Sequence, residues 1–254
     1  MSYSGERPIA DYFSTQAADY ATYRPHYPPE LFASLAVLAP ARHLAWDCAT
    51  GNGQAAVPLA HHFDRVIATD VSEEQLARTI PHAGVEYWLA RAEASGLETA
   101  SVDIVTVAQA LHWFDLDAFY GEVRRVLVPR GVLAVSSYGS AELDTADLAR
   151  IFSDFEWGTM GSYWPARRSF VGEALRDLPF PFEELAVPPV VLEMQWTLNE
   201  VVGYARSWSA IAQYVKKHGT DPTSALEAEL RTEWGPPELR RTVRWPFVVR
   251  AGRV

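Results

Sequence analysis

Residues 44–54 read Leu44-Ala45-Trp46-Asp47-Cys48-Ala49-Thr50-Gly51-Asn52-Gly53-Gln54. A short apolar run ends in Asp47, small residues and two glycines follow, and an apolar pattern with helical spacing begins beyond them. Strand, glycine-bearing turn and helix in that order put backbone N–H groups around a crevice at the strand's carboxyl end, where a polar or anionic ligand can sit.

The segments on either side keep the same rhythm. A helix is expected near 30–39, with Leu31, Phe32, Leu35 and Leu38 on one face between Pro28-Pro29 and Pro40. Strand one covers about 43–47 and the turn 48–53. A helix from about Asn52 to His62 must hold Pro58 in its first turn, where no N–H is missed. Strand two, Arg65–Thr69, ends at Asp70. Ser72 with Gln75 reads as a capping box for a helix that Pro81 ends. Strand three is expected at 85–89 and strand four at 103–108, a Val/Ile-rich run suited to burial on both faces of a parallel sheet. A helix over 116–127, a turn at Val128–Gly131 and a fifth strand over 132–137 complete right-handed βαβ units in a doubly wound sheet.

After Ser137 the rhythm changes. A helix over 145–156 carries Leu148, Ile151, Phe152 and Phe155, and 157–182 is irregular and rich in Trp, Tyr, Arg and Pro. A strand is expected near 189–196. Thr197 with Glu200 forms a second capping box, and Asp221-Pro222 starts a further helix with Leu226, Leu230 and Trp234 on one face. A last strand near 241–250 follows from the alternation of Val243, Trp245, Phe247 and Val249. At the other end, a short helix near 10–19 and the segment Tyr20–Pro29 form an aromatic arm. Its rings either pack on the core or close over a ligand.

The net charge of -10 argues against affinity for nucleic acid, which rests on neutralising phosphates with Lys and Arg. Cys48 is the single cysteine, which rules out an internal disulfide and suits a reducing cytoplasm. The first residues lack the features of a signal peptide, and no apolar run approaches the ~18 residues of a membrane span. The expectation is a soluble, cytoplasmic protein of 254 residues that folds as one large α/β domain or as a core with an inserted cap. No metal site is suggested, because His61 and His62 are adjacent and one cysteine builds no zinc cluster. Neither a hydrolase nucleophile elbow nor a Walker loop is present.

The glycine loop differs from the dinucleotide fingerprint G-x-G-x-x-G, since its two glycines sit one residue apart and no third follows at the expected place. Asp70 adds to it. It ends the next strand seventeen residues beyond Gly53, where a carboxylate can accept hydrogen bonds from both ribose hydroxyls. Together the loop and Asp70 point to an adenosine-like cofactor.

Here the sequence resembles the class I S-adenosylmethionine-dependent methyltransferases, and within them the small-molecule branch that includes trans-aconitate methyltransferase-like proteins. The carrying residues are Asp47-Cys48-Ala49-Thr50-Gly51-Asn52-Gly53, then Asp70, then Ala90-Arg91-Ala92-Glu93. To these add Tyr20–Pro28, Ala108–Phe114, Trp196–Leu198 and Ser207–Ser209. The resemblance implies a Rossmann-like, doubly wound, seven-stranded mixed sheet with the last strand antiparallel, plus an N-terminal arm and a helical, aromatic cap. It also implies one methyltransferase domain over 1–254, with the arm at 1–29, a cofactor-binding half at 30–140, and cap helices and C-terminal strands at 141–254.

The same resemblance implies S-adenosylmethionine as cofactor. Asp47 would approach the methionine ammonium, with the backbone of Ala49, Thr50, Gly51 and Gly53 beneath the methionine part. Asp70 would hold the ribose, Val71 would pack on the adenine, Ala92 would offer it an N–H, and Gln109 would line the sulfonium end. Two positions depart from the family. Ala49 replaces a glycine, and Arg91 replaces the Asp that usually meets the adenine amino group, a role Glu93 could take.

Methyl transfer needs alignment and exclusion of water more than acid–base apparatus. His112 is the candidate catalytic residue, either as general base or as a group that orients the loop or contacts substrate. The acceptor is expected to be a small molecule, carboxylate-bearing or planar, met by Tyr20, Tyr23, Arg24, Trp113, Tyr163, Trp164, Arg167, Arg168 and Trp208. Equally, Trp164 could be cap core and the Arg pair solvated. Two alternatives stand beside the enzyme reading. One is a catalytically impaired protein that only binds the adenosine ligand, and the other is a nicotinamide-dependent oxidoreductase. The sequence gives no oligomeric state.

Overall fold

The computed structural model describes residues 23–165, 168 and 171–254; the helix expected near 10–19 and most of the aromatic arm lie outside them. Helix α1 (Pro29–Leu38) begins with a proline, whose missing N–H costs nothing at that position. Strand β1 (Leu44–Cys48), the short helix α2 (Ala56–Leu59), β2 (Arg65–Asp70) and the short α3 (Glu73–Leu76) follow. Then come β3 (Val85–Leu89), β4 (Val102–Ala108), a 3-10 turn (Leu111–Trp113), α4 (Leu116–Val126) and β5 (Leu127–Tyr138). Beyond Tyr138 lie β6 (Glu142–Leu143), α5 (Ala146–Ser153), a π-helical turn (Asp154–Thr159) and 3-10 turns at Gly161–Tyr163 and Gly172–Asp177. The chain ends with β7 (Glu183–Leu185), β8 (Leu192–Trp196), α6 (Leu198–Arg206), α7 (Ser209–His218), α8 (Thr223–Trp234), β9 (Arg241–Trp245) and β10 (Phe247–Arg253).

Two compact units result. The first comprises His26–Gly139, Ser169–Val191 and Pro246–Val254. Its sheet has seven strands in the order β3-β2-β1-β4-β5-β10-β7. β1–β5 run parallel, and β10 is antiparallel to both β5 and β7. Alternation along each strand divides the sheet into two unlike faces. Trp46, Ile67, Val105, Leu133 and Val135 fill one, together with Phe119, Val123 and Val126 of α4. Ala45, Ala68, Ala134 and Ala251 populate the other, beside Leu31, Phe32 and Leu35 of α1 and Leu59 of α2. The small side chains let those helices lie close to the sheet.

The second unit comprises Met1–Pro25, Ser140–Arg168 and Leu192–Trp245. It has a three-stranded antiparallel sheet, β6-β9-β8, and the helices α5–α8. Its core is aromatic: Trp196 meets Trp245 at 4.9 Å between centroids, and Trp208 meets Phe152 at 5.4 Å and Tyr204 at 5.6 Å. The capping box is complete, since Thr197 and Glu200 each bond the other's backbone N–H at the start of α6.

Several expectations need correction. The helix expected from Asn52 to His62 is α-helical only over Ala56–Leu59, with turns on either side. Gly53, inside the expected span, is left-handed, and right-handed geometry begins only by Ala55. The expected turn at Val128–Gly131 is a bulge inside a longer β5: Val102 pairs with Leu127 and Ile104 with Val132, so the extra residues bow out. The helix expected over 145–156 stops at Ser153 and widens into the π turn. The strand expected near 189–196 starts at Leu192, beyond Pro188-Pro189. The single last strand is two strands in two sheets, separated at Pro246, which has no N–H to give a ladder.

Candidate functional site

The strand order reverses beside β1, because β2 and β3 build outward on one side and β4 and β5 on the other. In open α/β sheets this switch point, at the carboxyl ends of the strands, is where ligands bind. Asp47 lies there with 1% of its surface exposed. Register places it opposite Ala68 on β2 and Thr106 on β4. Its carboxylate accepts the Thr106 hydroxyl at 2.8 Å and the Thr50 hydroxyl at 2.6 Å. Burial, opposed by those two bonds and the Ala56 backbone N–H, pushes its pKa up to about 6, and nearby Asp70 adds to the rise. Among the described residues, no cation is among the groups that offset its burial.

The turn that follows is left-handed at alternate residues: Ala49 φ 56°, Gly51 φ 58° and Gly53 φ 92°. Thr50 N–H donates to Thr69 O at 2.9 Å, and Gly53 N–H to Thr50 O at 3.0 Å. Ala49 occupies this conformation at the expense of a Cβ clash that glycine would not have. Ala49→Gly is therefore expected to stabilise the fold by about 0.5–1 kcal/mol, net of the added freedom of the unfolded chain. The check is a higher denaturant midpoint at unchanged slope.

Asp70 closes the other side. Its carboxylate accepts Gly51 N–H at 2.8 Å and Ser72 N–H at 2.9 Å. Burial raises its pKa and the backbone donors oppose the rise. Val71 beside it is exposed, an apolar side chain left in water at the strand end. Gln54 was not among the expected site residues. Its side-chain Nε2 is buried with no partner among the described residues. Its position directly after the glycine pair was the available signal.

The remaining expected residues of this unit sit on neighbouring loops. Ala92 is partly buried against the larger-residue face of the sheet. Glu93 accepts the Asp115 N–H at 3.2 Å and pairs with Arg91 at 3.4 Å. Gln109 has φ 57°, and its side chain is committed to β5. Its Oε1 accepts from the Ser137 hydroxyl and from Tyr138 N–H, while its Nε2 donates to Tyr138 O. His112 lies in the 3-10 turn with its ring 5.0 Å from that of Trp113.

Other expected acceptor residues belong to the second unit. Arg24 donates to Ser207 O at 3.4 Å and lies over the Tyr204 ring, and the Tyr23 ring packs against Gly203. Tyr163 bonds His218 Nε2 at 2.6 Å. Trp208 is buried, and Trp164 packs on it at 5.3 Å. Arg168 pairs with Glu156 at 3.0 Å instead of standing open to solvent. Tyr20 and Arg167 lie outside the described residues.

Comparison with known proteins bears on this geometry. A family model described as a methyltransferase domain matches residues 46–135, the span from β1 to β5. A protein of Dictyostelium discoideum, provisionally named a methyltransferase, is 34% identical over 223 residues, covering 87% of this chain and 85% of that one. A solved structure from Anaeromyxobacter dehalogenans, provisionally assigned as a type II methyltransferase, superposes with a TM-score of 0.84 at 42% identity, covering 91% of this chain and 98% of that one. Phosphoethanolamine N-methyltransferase 2 of Haemonchus contortus, solved with S-adenosyl-L-methionine, shares the fold at 17% identity and TM-score 0.54, over 98% of this chain and 60% of that one. The chain belongs to the class I S-adenosylmethionine-dependent methyltransferases.

Proposed function

We propose that the chain transfers a methyl group from S-adenosylmethionine to a small-molecule acceptor, within the trans-aconitate methyltransferase-like branch, and that the loop after β1 holds the cofactor. The observation that carries this reading is the pair of buried carboxylates, Asp47 and Asp70, at adjacent strand ends around a left-handed turn. Asp47, buried and opposed by no cation, suits the methionine ammonium. Gln54 Nε2 is a buried donor suited to the methionine carboxylate. Asp70 keeps lone pairs beyond those given to Gly51 and Ser72, and these suit ribose hydroxyls. Val71 offers apolar surface for the adenine, with Ala92 and Glu93 as its further partners.

The bound cofactor supplies an activated methyl carbon for in-line displacement. The chain's own residues bind, orient and exclude water. Gln109 acts through β5, where its amide fixes the strand end, and His112 in the turn beyond it remains the candidate proton acceptor. Tyr23, Arg24, Trp113, Tyr163, Trp164, Arg168 and Trp208 remain the proposed acceptor contacts. The single 1–254 domain stays part of the proposal.

Titration calorimetry of the full chain with S-adenosylmethionine and S-adenosylhomocysteine tests the cofactor step. Saturable binding of both is expected. With the Asp47 pKa near 6, the ionised fraction rises about tenfold between pH 5 and pH 7, and affinity should rise in proportion. Absence of binding at millimolar ligand overturns the proposal. Formation of a methylated product from labelled cofactor separates the enzyme from a protein that only binds.

A further inference from the structure

The second unit holds a buried charged pair, Glu156 with Arg168, in which nothing above assigns Glu156 a role. Its origin lies in the π turn. The apolar stripe of α5 runs Leu148, Ile151, Phe152 and then Phe155, and helical spacing would bury residue 159 next. Instead Met160 N–H bonds Phe155 O, five residues back, and Met160 is buried while Thr159 is exposed. The extra residue turns Glu156 inward beside Phe155. π turns of this kind recur at functional sites.

Glu156 is 1% exposed. Its Oε1 accepts the Ser140 hydroxyl at 3.0 Å and an Arg168 N–H at 3.0 Å. Its Oε2 is buried and has no partner among the described residues. A carboxylate has lone pairs on both oxygens, and native interiors rarely leave a buried one unserved. Burial raises the Glu156 pKa even with Arg168 beside it, so the charge is under-solvated as it stands. Arg168 links this carboxylate to an aromatic surface. Its guanidinium lies 4.8 Å from the Trp164 ring centroid and 5.8 Å from that of Trp157. The Trp164 indole N–H in turn donates to Glu156 O at 3.0 Å. Trp157, the residue after Glu156, is 52% exposed, so the guanidinium that pairs with the buried carboxylate also faces a ring open to solvent.

We infer that Glu156 Oε2 and the Trp157 ring form a binding subsite for a neutral O–H or N–H donor carried on an aromatic body, such as a phenol or an anilide. Neutrality follows from the charge balance, since Arg168 already compensates Glu156 and an ammonium would leave the cluster with uncompensated positive charge. A carboxylate-bearing ligand is disfavoured, because the arginine that would receive it is bonded to Glu156. To identify this ligand with the methyl acceptor rests on the proposed function above. The binding itself does not.

The test uses the full chain and fluorine NMR titration with 4-fluorophenol and 4-fluoroanisole, which differ in the hydroxyl donor. Wild type is expected to bind the phenol about tenfold or more tightly, the size of one hydrogen bond to a charged acceptor. Glu156→Gln should shrink that preference severalfold, and Trp157→Ala should weaken both probes. Equal affinity for the two probes overturns the inference, as does a phenol preference that survives Glu156→Gln. So does the lack of saturable phenol binding, the result expected if a buried water occupies Oε2. If Glu156→Gln does not fold, unchanged phenol affinity in Trp157→Ala overturns it. No methyl donor enters the experiment, so failure here is separate from failure of the cofactor reading.

Discussion

Asp47→Asn is expected to make the protein more stable and to cost it most of its affinity for S-adenosylmethionine. Burial is the largest influence on Asp47 and carries its pKa from 3.8 to about 6. The sign follows directly. Between about pH 4 and pH 6 the folded state holds a proton that the unfolded state has released, so stability falls as pH rises through that window. At pH 7 the ionised carboxylate then disfavours the fold by about 3 kcal/mol. Asparagine removes the charge and keeps the shape, but it weakens the bonds from Thr50 and Thr106, so a net gain of about 1–2 kcal/mol is expected. For a chain of this size that is a rise in Tm of roughly 3–6 °C. Loss of a buried partner for an ammonium should lower affinity by about 100-fold. Thermal melts and calorimetry at pH 7.5 read both effects. A variant less stable than wild type with unchanged affinity would sink the assignment of Asp47.

Gly53→Ala should have the largest effect on folding. Gly53 has φ 92°, and a Cβ there would collide with the Tyr87 hydroxyl oxygen and lie 3.1 Å from the ring carbon that bears it. The ring cannot step aside without consequence, because its hydroxyl donates to Ile80 O at 2.7 Å. Ile80 N–H in turn bonds Asn52 O in the same loop. Strain and lost bonds together suggest a destabilisation of about 2–4 kcal/mol. Gly51 provides the contrast. It shares the left-handed geometry, but among the described residues a Cβ there meets only Gln75 Oε1, at 3.9 Å, so Gly51→Ala should cost about 1 kcal/mol, from the backbone alone. Urea denaturation separates them, and adding Tyr87→Phe should recover part of the Gly53→Ala loss. Equal effects at the two glycines would show that Tyr87 does not set the cost.

The centre of the sheet was legible in the sequence because β1, β2 and β4 are buried on both faces and read as largely apolar runs between polar loops. Asp70 was legible for a related reason, being a charged residue that ends such a run. Alternation failed at Pro246 because the period of two is the same in either sheet, so it cannot say that Trp245 and Phe247 belong to different ones. β6 and β7, of two and three residues, are too short to carry a period. At the site, sequence placed Asp47, Thr50, Gly51 and Asp70 together, and the structure does so through register and two hydrogen bonds, Thr50 to Asp47 and Gly51 to Asp70. It could not show that Gln109 spends its amide on β5 or that Arg168 is held by Glu156. Both are long-range pairings without a local signature. Glu156 went unremarked because a glutamate beside an apolar stripe ordinarily faces water, and only the π turn brings it inside.

The bonds around the glycine loop also bear on the timing of recognition. Thr50 is tied to β2 and to Asp47, Gly51 to Asp70, and Gly53 to Thr50, so folding itself fixes the loop's path. A ligand that enters such a loop meets a backbone path already fixed and loses little affinity to ordering the chain. Under the proposed cofactor assignment, encounter with the loop is governed by diffusion and charge, and discrimination between the methyl donor and its demethylated product falls to how long each one stays.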